Sequence, residues 1–300
     1  MEVLCNGLNV VDLLAAVPQN IPYGGKTACE KIIVQGGAPA GNAACGISAL
    51  GHEIHFLGYL GDNTLSQIGK TELERHGVRT DKMIHRTDAQ PAIAIVQVDG
   101  EGERTVLYSV TGYYPLSPSD VVEQDIIDTR LVIVDGYDTE VNTHLLRLAK
   151  KHNKISVLDM ESAPIEVMKE MVALATYPIL PLSGAQTLSE QRDIEDCALA
   201  IDKMTNGTVV ITDGINGSVA VVNGQLIRQA AYKVDVVDTT GCGDAFHAAF
   251  TSAILQGMSV AEAMNYGSFF AAQVATVFGG RTKFPTREFM ESNLAQLTNI

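Results

Sequence analysis

The chain has 300 residues, with 21 Lys and Arg against 35 Asp and Glu, so its formal net charge is −14. This acidic surplus argues against a nucleic-acid partner or an anionic membrane surface, since both are bound through clustered Lys and Arg. With 46% hydrophobic and 19% charged residues, the chain is not disordered as a whole. It is long enough to form one large domain or two modest ones without disulfide or metal crosslinks.

The cysteines and the amino terminus indicate a reduced, cytoplasmic protein. The five cysteines, at positions 5, 29, 45, 197 and 242, form no C-x-x-C pair and have no metal-ligand spacing. The first residues lack the basic segment and long apolar stretch of a signal peptide, and no run of 18 apolar residues is present. We therefore expect no membrane partner.

Short apolar runs alternate with amphipathic segments along most of the chain. The runs show no alternation of polar and apolar residues, which is typical of parallel strands covered by helices on both faces. Ligands of such sheets bind beyond the carboxyl ends of the strands. The predicted strands are residues 3–5, 54–57, 131–134, 155–158 and 209–211, and the predicted helices are residues 42–50, 65–75, 141–152 and 194–204.

The region 91–110 departs from this alternation of apolar runs and amphipathic segments. Residues 92–98 and 104–110 are strand-like and are joined by Asp-Gly-Glu-Gly, which predicts a β-hairpin. Residues 26–34 are a further candidate strand. Together they form either a small antiparallel sheet that covers the strand ends of the α/β core, or an ordinary edge hairpin of the main sheet.

A glycine-containing turn near position 241 carries the most chemical information. We expect a strand to end near Val237 and a helix to follow, with apolar residues at 246, 249, 250, 253 and 254. Between them lies Gly241-x-Gly243-Asp244. Glycines at a strand-to-helix turn let backbone N–H groups point into one concavity, which favours an anion. Asp244 is then either a helix cap or a general base beside a bound phosphoryl group.

Two signatures make the chain resemble the PfkB, or ribokinase-like, family of carbohydrate kinases. Residues 238–246 read Asp-Thr-Thr-Gly-Cys-Gly-Asp-Ala-Phe and match the family's D-T-x-G-A-G-D-x-F, except that Cys242 replaces the usual alanine. Residues 36–44 are similar to the amino-terminal G-G-x-x-x-N-x-A loop, with one residue more. Two signatures in the family's order are more specific than either alone.

Weaker matches extend the resemblance over the whole chain. Gly7-x-x-x-x-Asp12 is similar to the end of the family's first strand, and Thr212-Asp213-Gly214-x-x-Gly217 is similar to an element that lies along ATP. Gly279-Gly280, followed by Phe284-Pro285, resembles the closing loop near adenine and a monovalent cation.

The resemblance implies an α/β fold, namely a ribokinase-like three-layer αβα core with a mostly parallel central sheet and a small β lid. The core would comprise residues 1–11, 37–86 and 112–300, and the lid residues 12–36 and 87–111. The implied activity is transfer of the γ-phosphoryl group of ATP to a hydroxymethyl group of a sugar or sugar derivative, with Mg²⁺ as cofactor and K⁺ as activator. A homodimer through the lid is implied as well, because an exposed small sheet has open edges.

The resemblance also implies roles for individual residues. Asp244 is the general base, and the backbone N–H groups of Gly241, Cys242 and Gly243 form the anion hole. The acceptor is held by Asp12, Gly36, Gly37 and Asn42, with Asp135 and Tyr137 as further contacts. The nucleotide is lined by Thr212, Gly214, Gly217, Gly241, Gly243 and Ser268, and the monovalent cation by Asp238, Thr240 and Gly280. Taken singly, the glycines are equally consistent with plain turns, and Asn42 and Asp238 with helix caps.

Some positions depart from the family pattern. Ser183-x-x-Gln186 stands where the family's N-x-x-E element helps to organise Mg²⁺. Because neither residue carries a charge, the sequence does not identify which residues bind Mg²⁺. Val10 replaces a sugar-binding asparagine, so ribose itself is a weaker expectation than a ketose. The alternatives are a nucleoside kinase on the same fold and a catalytically silent sugar- or nucleotide-binding regulatory protein. We also expect Cys242 to be a modestly activated thiol, because it lies at a helix amino terminus.

Overall fold

A computed structural model describes residues 1–18, 21–22 and 24–294. The strands are β1 (Val3–Asn6), β2 (Val10–Ala16), β3 (Lys31–Gly37), β4 (Ile54–Leu57), β5 (Tyr59–Leu60), β6 (Ile84–His85), β7 (Ala92–Val98), β8 (Arg104–Ser109), β9 (Leu131–Val134), β10 (Ile155–Asp159), β11 (Tyr177–Pro181), β12 (Val210–Thr212), β13 (Ser218–Val222) and β14 (Gln225–Gln229). The helices are α1 (Pro39–Ala49), α2 (Thr64–Arg75), α3 (Glu123–Ile127), α4 (Thr139–Lys151), α5 (Ile165–Leu174), α6 (Leu182–Ser189), α7 (Ile194–Asp202), α8 (Cys242–Leu255), α9 (Val260–Val274) and α10 (Arg287–Asn293).

The larger sheet has the strand order β14-β13-β12-β11-β10-β9-β1-β4. Six of its strands are parallel, namely β4, β1, β9, β10, β11 and β12. Strands β13 and β14 are antiparallel additions at one edge. The predicted strands correspond to β1, β4, β9, β10 and β12, and the predicted helices to α1, α2, α4 and α7, so these predictions are confirmed.

Helices cover both faces of this sheet. Buried residues of α1, α8 and α9 form a hydrophobic core on one face, and buried residues of α4 to α7 form a second core on the other. All four residues of β9 are buried, because each faces one of these two cores. This arrangement is a three-layer αβα fold, and it places the carboxyl ends of the parallel strands at one edge.

A second, four-stranded sheet has the order β3-β2-β7-β8. The predicted hairpin is confirmed, since β7 pairs with β8 in antiparallel register from Ile93–Ser109 to Val98–Arg104. It belongs to this separate sheet rather than to the edge of the main one. The predicted strand at 26–34 begins later, at Lys31.

The division into a core and a lid remains a prediction. Its ranges include residues 19–20, 23 and 295–300, which lie outside the described residues. Within the described part of the chain, no helix is both long enough and apolar enough to cross a bilayer.

The prediction of a strand ending near Val237 is wrong. Residues 231–237 are not part of any strand. The backbone N–H groups of Val237 and Asp238 both donate to the carbonyl of Ala275, at 2.8 and 3.2 Å. This segment therefore packs against the end of α9 rather than beside another strand, and its valines, at 234, 236 and 237, are a misleading local signal.

Candidate active site

Helix α8 begins at the glycine turn that the sequence singled out. Gly241 precedes the helix with φ of +75°, a conformation that favours glycine. The N–H of Cys242 turns back to the carbonyl of Thr239 at 3.3 Å. A Cβ atom added to Gly243 would meet no atom within 4 Å. Open space therefore adjoins the helix amino terminus, as an anion site requires.

Asp244 lies in the first turn of α8 and is joined to the amino-terminal signature. The side-chain amide of Asn42, on α1, donates from Nδ2 to Oδ2 of Asp244 at 2.6 Å. In the loop just before α1, Ala38 adopts φ of +71°, which is uncommon for a residue other than glycine. The two signatures thus meet at one carboxylate, although 202 positions separate its hydrogen-bonded residues.

Asp12 faces the same loop from strand β2. A Cβ atom added to Gly37 would lie 1.9 Å from Oδ2 of Asp12, so the position requires glycine. Burial raises the pKa of Asp12 to about 6, against the lowering effect of the Arg281 guanidinium, while the negative charge of Asp244 raises it further. Asp12 and Gly37 are therefore in direct apposition, and their acceptor roles stay a prediction.

Asp135 has mainly backbone partners. Its carboxylate accepts N–H groups of Leu8 at 2.8 Å, Tyr137 at 3.1 Å and Ala40 at 3.4 Å. Burial, followed by the charge of Asp138, raises the pKa of Asp135 to about 8. A Cβ atom on Gly7 would lie 2.3 Å from this carboxyl group. The contacts present organise the loop after β1, which explains a glycine at position 7.

Tyr137 lies beside this group but faces outward. Its hydroxyl donates to Oε2 of Glu161 at 2.8 Å, and its side chain is partly exposed. Burial chiefly, with the carboxylate of Glu161, raises the pKa of Tyr137.

Three of the predicted nucleotide-lining residues, Thr212, Gly214 and Gly217, lie at another stretch of the sheet's carboxyl edge. Thr212 ends β12, and a short 3₁₀ turn, Gly214–Asn216, follows. Gly214 and Gly217 have φ of +50° and +90°, and the N–H of Asp213 closes the turn on the carbonyl of Gly217 at 2.8 Å. Ser268 lies on α9, half-buried.

Asp238 joins the glycine turn to the loop after α9. It is buried, and its two carboxylate oxygens each accept a backbone N–H at 2.8 Å, one from Thr240 and one from Gly279. A Cβ atom on Gly280 would lie 3.0 Å from the carbonyl oxygen of Thr240. Oγ1 of Thr240 is buried and has no hydrogen-bond partner among the described residues. The carboxylate thus acts as a clamp between the two loops.

The expectation of an activated Cys242 thiol is wrong. Burial raises the pKa of Cys242 to about 12, and the carboxylates of Asp238 and Asp244 add to that effect. The guanidinium of Arg104 opposes it. The helix dipole at α8 is too weak to outweigh removal of the thiolate from water.

Sequence reasoning missed three side chains that surround this site. Arg281 is fully buried beside Asn42. Nε2 of His247, one turn into α8, lies 3.4 Å from Oδ1 of Asp159, while Nδ1 contacts the carbonyl of Gly243 at 2.8 Å. Burial, with the charges of Asp244 and Glu161, raises the pKa of Asp159 well above its usual range. The sequence offered two signals. One is the arginine between Gly279-Gly280 and Phe284-Pro285, and the other is the aspartate that ends strand β10.

The chain is similar to known proteins over almost its whole length. The model of the pfkB family of carbohydrate kinases matches residues 2–287. A 5-dehydro-2-deoxygluconokinase of Bacillus subtilis is 27% identical over 97% of this chain and 94% of its own length. The solved structure of a protein from Agrobacterium tumefaciens, assigned as a ribokinase, superposes with a TM-score of 0.92 at 26% identity, covering 98% of this chain and 97% of that one. A structure from E. coli assigned as ribokinase II, in complex with ATP and Mg²⁺, has a TM-score of 0.85 at 16% identity over 98% and 99% of the two chains.

Proposed function

The chain belongs to the PfkB family of carbohydrate kinases, and from that premise we propose how its residues divide the work of phosphoryl transfer. The enzyme is an ATP-dependent sugar kinase. Asp244 is the general base, which accepts the proton of the acceptor's hydroxymethyl group as its oxygen attacks the γ-phosphorus of ATP. The observation that supports this role best is the 2.6 Å hydrogen bond from Asn42, which joins the acceptor loop to the first turn of α8.

The backbone at the start of α8 stabilises the transferring group. The open amino terminus at Gly241, Cys242 and Gly243 offers N–H groups and the positive end of the helix dipole to the phosphoryl oxygens. Phosphoryl transfer needs positioning and charge neutralisation more than covalent help. Thr212, Gly214, Gly217 and Ser268 line the rest of the nucleotide.

Asp12, Gly36, Gly37 and Asn42 hold the acceptor, with Asp135 and Tyr137 beside them. Carboxylate and amide side chains in direct apposition to a glycine loop suit a polyhydroxylated ligand, because each carboxylate oxygen can accept hydrogen bonds from hydroxyl groups. The name of the Bacillus subtilis relative makes 5-dehydro-2-deoxygluconate the first acceptor to assay. A panel of ketoses, aldonates and nucleosides, with ADP release as the signal, would identify the substrate.

Mg²⁺ is expected for a kinase of this family. Ser183 and Gln186 bring no charge, and Gln186 donates to the carbonyl of Arg192 at 2.8 Å. Among the described residues, no three His, Cys, Asp or Glu side chains are grouped so as to hold a metal alone. Mg²⁺ is usually held by one or two carboxylates together with substrate phosphates, and Asp159 and Glu161 fit that requirement. When bound, the ion would neutralise charge on the transferring phosphoryl group.

The clamp made by Asp238 suits a monovalent cation such as K⁺. Its carboxylate already binds two N–H groups, which leaves carbonyl oxygens of the two loops and the unpartnered Oγ1 of Thr240 as ligands near Gly280. Burial of a hydroxyl without a partner is costly, and an ion would remove that cost. The ion would stabilise the turn before α8 without touching the acceptor.

The four-stranded sheet is proposed to act as a lid and as a dimer interface. Its outer surface carries an apolar row that crosses all four strands in register, made by Val34, Leu13, Ile95 and Leu107. These side chains are 36 to 57% exposed. A contiguous exposed apolar row is typical of an interaction surface, and a second copy of this chain offers the same row in a two-fold arrangement.

We place the enzyme in the cytoplasm, where ATP is available. All five cysteines are free, which is consistent with a reducing compartment.

The replacement Asp244→Asn tests the role of the base. Asparagine still offers an oxygen to Asn42, so we expect the fold and ATP affinity to persist. The loss of the proton acceptor should lower kcat on the order of 10²- to 10⁴-fold. Steady-state kinetics and ATP titration measure both effects. A near-wild-type kcat in this variant would show that Asp244 is a helix cap and not the general base.

A further inference from the structure

Arg281 connects the acceptor loop with the hydrogen-bond chain that ends at Asp244. It follows Gly280 in the loop after α9 and is the largest fully buried side chain, at 0% exposure. Its Nε donates to Oδ1 of Asn42 at 2.6 Å, and its Nη2 donates to the carbonyl oxygen of Gly37. One guanidinium therefore holds two of the residues proposed to bind the acceptor.

Two glycines of the acceptor loop make room for this guanidinium. A Cβ atom on Gly36 would lie 2.0 Å from Nη1 of Arg281, and a Cβ atom on Gly41 would lie 2.1 Å from Nη2. Gly36 and Gly37 therefore face different groups, Arg281 on one side and Asp12 on the other. The glycine content of this loop reflects close packing around two charged side chains.

Arg281 is poorly explained as a stabilising residue. Its Nη1 is buried without a hydrogen-bond partner among the described residues. A buried unsatisfied donor on a charged group is unfavourable, and buried ionic groups are often no more stabilising than apolar replacements. A buried arginine with an unsatisfied donor at this position therefore points to a role in the reaction.

The chemistry of its partners fixes the amide of Asn42 in one orientation. A guanidinium can only donate hydrogen bonds, so the oxygen of Asn42 must face Arg281. The NH₂ group must then face Asp244, whose carboxylate oxygen accepts its hydrogen bond. Rotation of the amide by 180° would oppose donor to donor and acceptor to acceptor. The two contacts together hold one oxygen of Asp244 and direct the carboxylate.

We propose that Arg281 is a positioning residue for phosphoryl transfer, which fixes the side chain of Asn42 and through it the orientation of the Asp244 carboxylate. This inference rests on the proposed function, since it takes Asp244 to be the base. Arg281 acts through Asn42 and the Gly37 carbonyl, so its loss should lower kcat more than it changes ATP affinity.

The charge of Arg281 provides a second, separable readout. The charged groups that act on Asp12 are Arg281, which lowers its pKa, and Asp244, which raises it, in a site where burial is the largest influence. Without the guanidinium, the pKa of Asp12 rises further. The acid limb of kcat/KM for the acceptor should then move to higher pH, whereas a purely structural residue would not move it.

The variants Arg281→Lys and Arg281→Met test this proposal. Lysine keeps the charge but cannot donate to Asn42 and Gly37 in the same fork geometry, and methionine keeps much of the volume without charge. Misplacement of a catalytic group by about 1 Å costs on the order of 10²-fold in rate, so we expect kcat to fall about 10- to 100-fold in both. Only Arg281→Met should shift the acid limb upward. Where the methionine variant does not fold, Arg281→Lys carries the test.

Arg287→Met is the matched control. Arg287 also donates to a backbone carbonyl, from Nε to Leu50 at 2.8 Å, and its Nη2 contacts the ring of His52. Both partners follow the carboxyl end of α1, whereas Asn42 lies at its amino end. We expect it to change the melting temperature and leave kcat near the wild-type value. An equal fall in kcat in the Arg281 and Arg287 variants would overturn the proposal.

A double-mutant cycle with Asn42→Ala separates the possible results. If Arg281 acts through Asn42, its replacement adds less than about 3-fold to the loss already caused by Asn42→Ala. Full additivity would overturn this inference while leaving Asp244 as the base. Normal turnover of Asp244→Asn would instead overturn the proposed function, whatever the cycle shows.

Discussion

At the scale of single residues, Asp12 is expected to give acceptor binding a pH dependence. Burial raises the pKa of Asp12 to about 6, so the carboxyl group is ionised above that pH and protonated below it. An ionised carboxylate accepts stronger hydrogen bonds from hydroxyl groups than a protonated one. We therefore expect kcat/KM for the acceptor to fall as the pH drops through about 6, mainly through a higher KM. Initial rates from pH 5 to 8 measure this limb.

Asp12→Asn is the variant that checks the assignment. It should weaken acceptor binding at every pH and flatten the limb, because no titrating group remains at that position. A limb of unchanged midpoint in Asp12→Asn would assign the titration to another group and remove Asp12 from acceptor binding.

The sequence predicts residues whose role depends on near neighbours better than residues whose role depends on distant ones. Asp244 and the glycine turn are readable because the predicted anion site is local to the turn that begins α8. Arg281 is not, because its partner Asn42 lies 239 positions away. For Cys242 a local signal gives the wrong prediction. The helix dipole predicts a lowered thiol pKa, but burial by the whole fold raises that pKa.

At the scale of elements, the clamp between the turn before α8 and the loop after α9 should make the enzyme respond to monovalent cations. An ion bound by carbonyl oxygens and Thr240 would fix the turn that presents N–H groups to the phosphoryl group. We expect higher kcat in potassium salts than in tetramethylammonium salts at equal ionic strength. Thr240→Val should reduce this response without changing the pH dependence of acceptor binding. Equal rates in the two salts would remove the cation assignment.

Elements were predictable wherever burial alone determines the pattern. The strands β1, β4, β9, β10 and β12 are apolar runs because both their faces are covered. The same rule fails at residues 234–237, where three of the four residues are valines and no strand forms. The hairpin β7–β8 was found from its turn, but its membership of a separate sheet depends on the pairing of β2 with β7, which no local pattern contains.

At the scale of the whole molecule, the apolar row on the outer face of the four-stranded sheet should hold two copies together. Leu107→Glu places a charge in that row opposite Ile95, where a dimer interface would bury it without a partner. Desolvation of an unpaired charge is strongly unfavourable, so we expect this variant to be monomeric in light scattering while wild type is a dimer.

Val122→Glu is the control, because Val122 is an exposed apolar residue just before α3, outside this sheet. Loss of the dimer in both variants, or in neither, would place the interface elsewhere. If the dimer also holds the lid sheets in position, Leu107→Glu should raise the KM of the acceptor more than that of ATP.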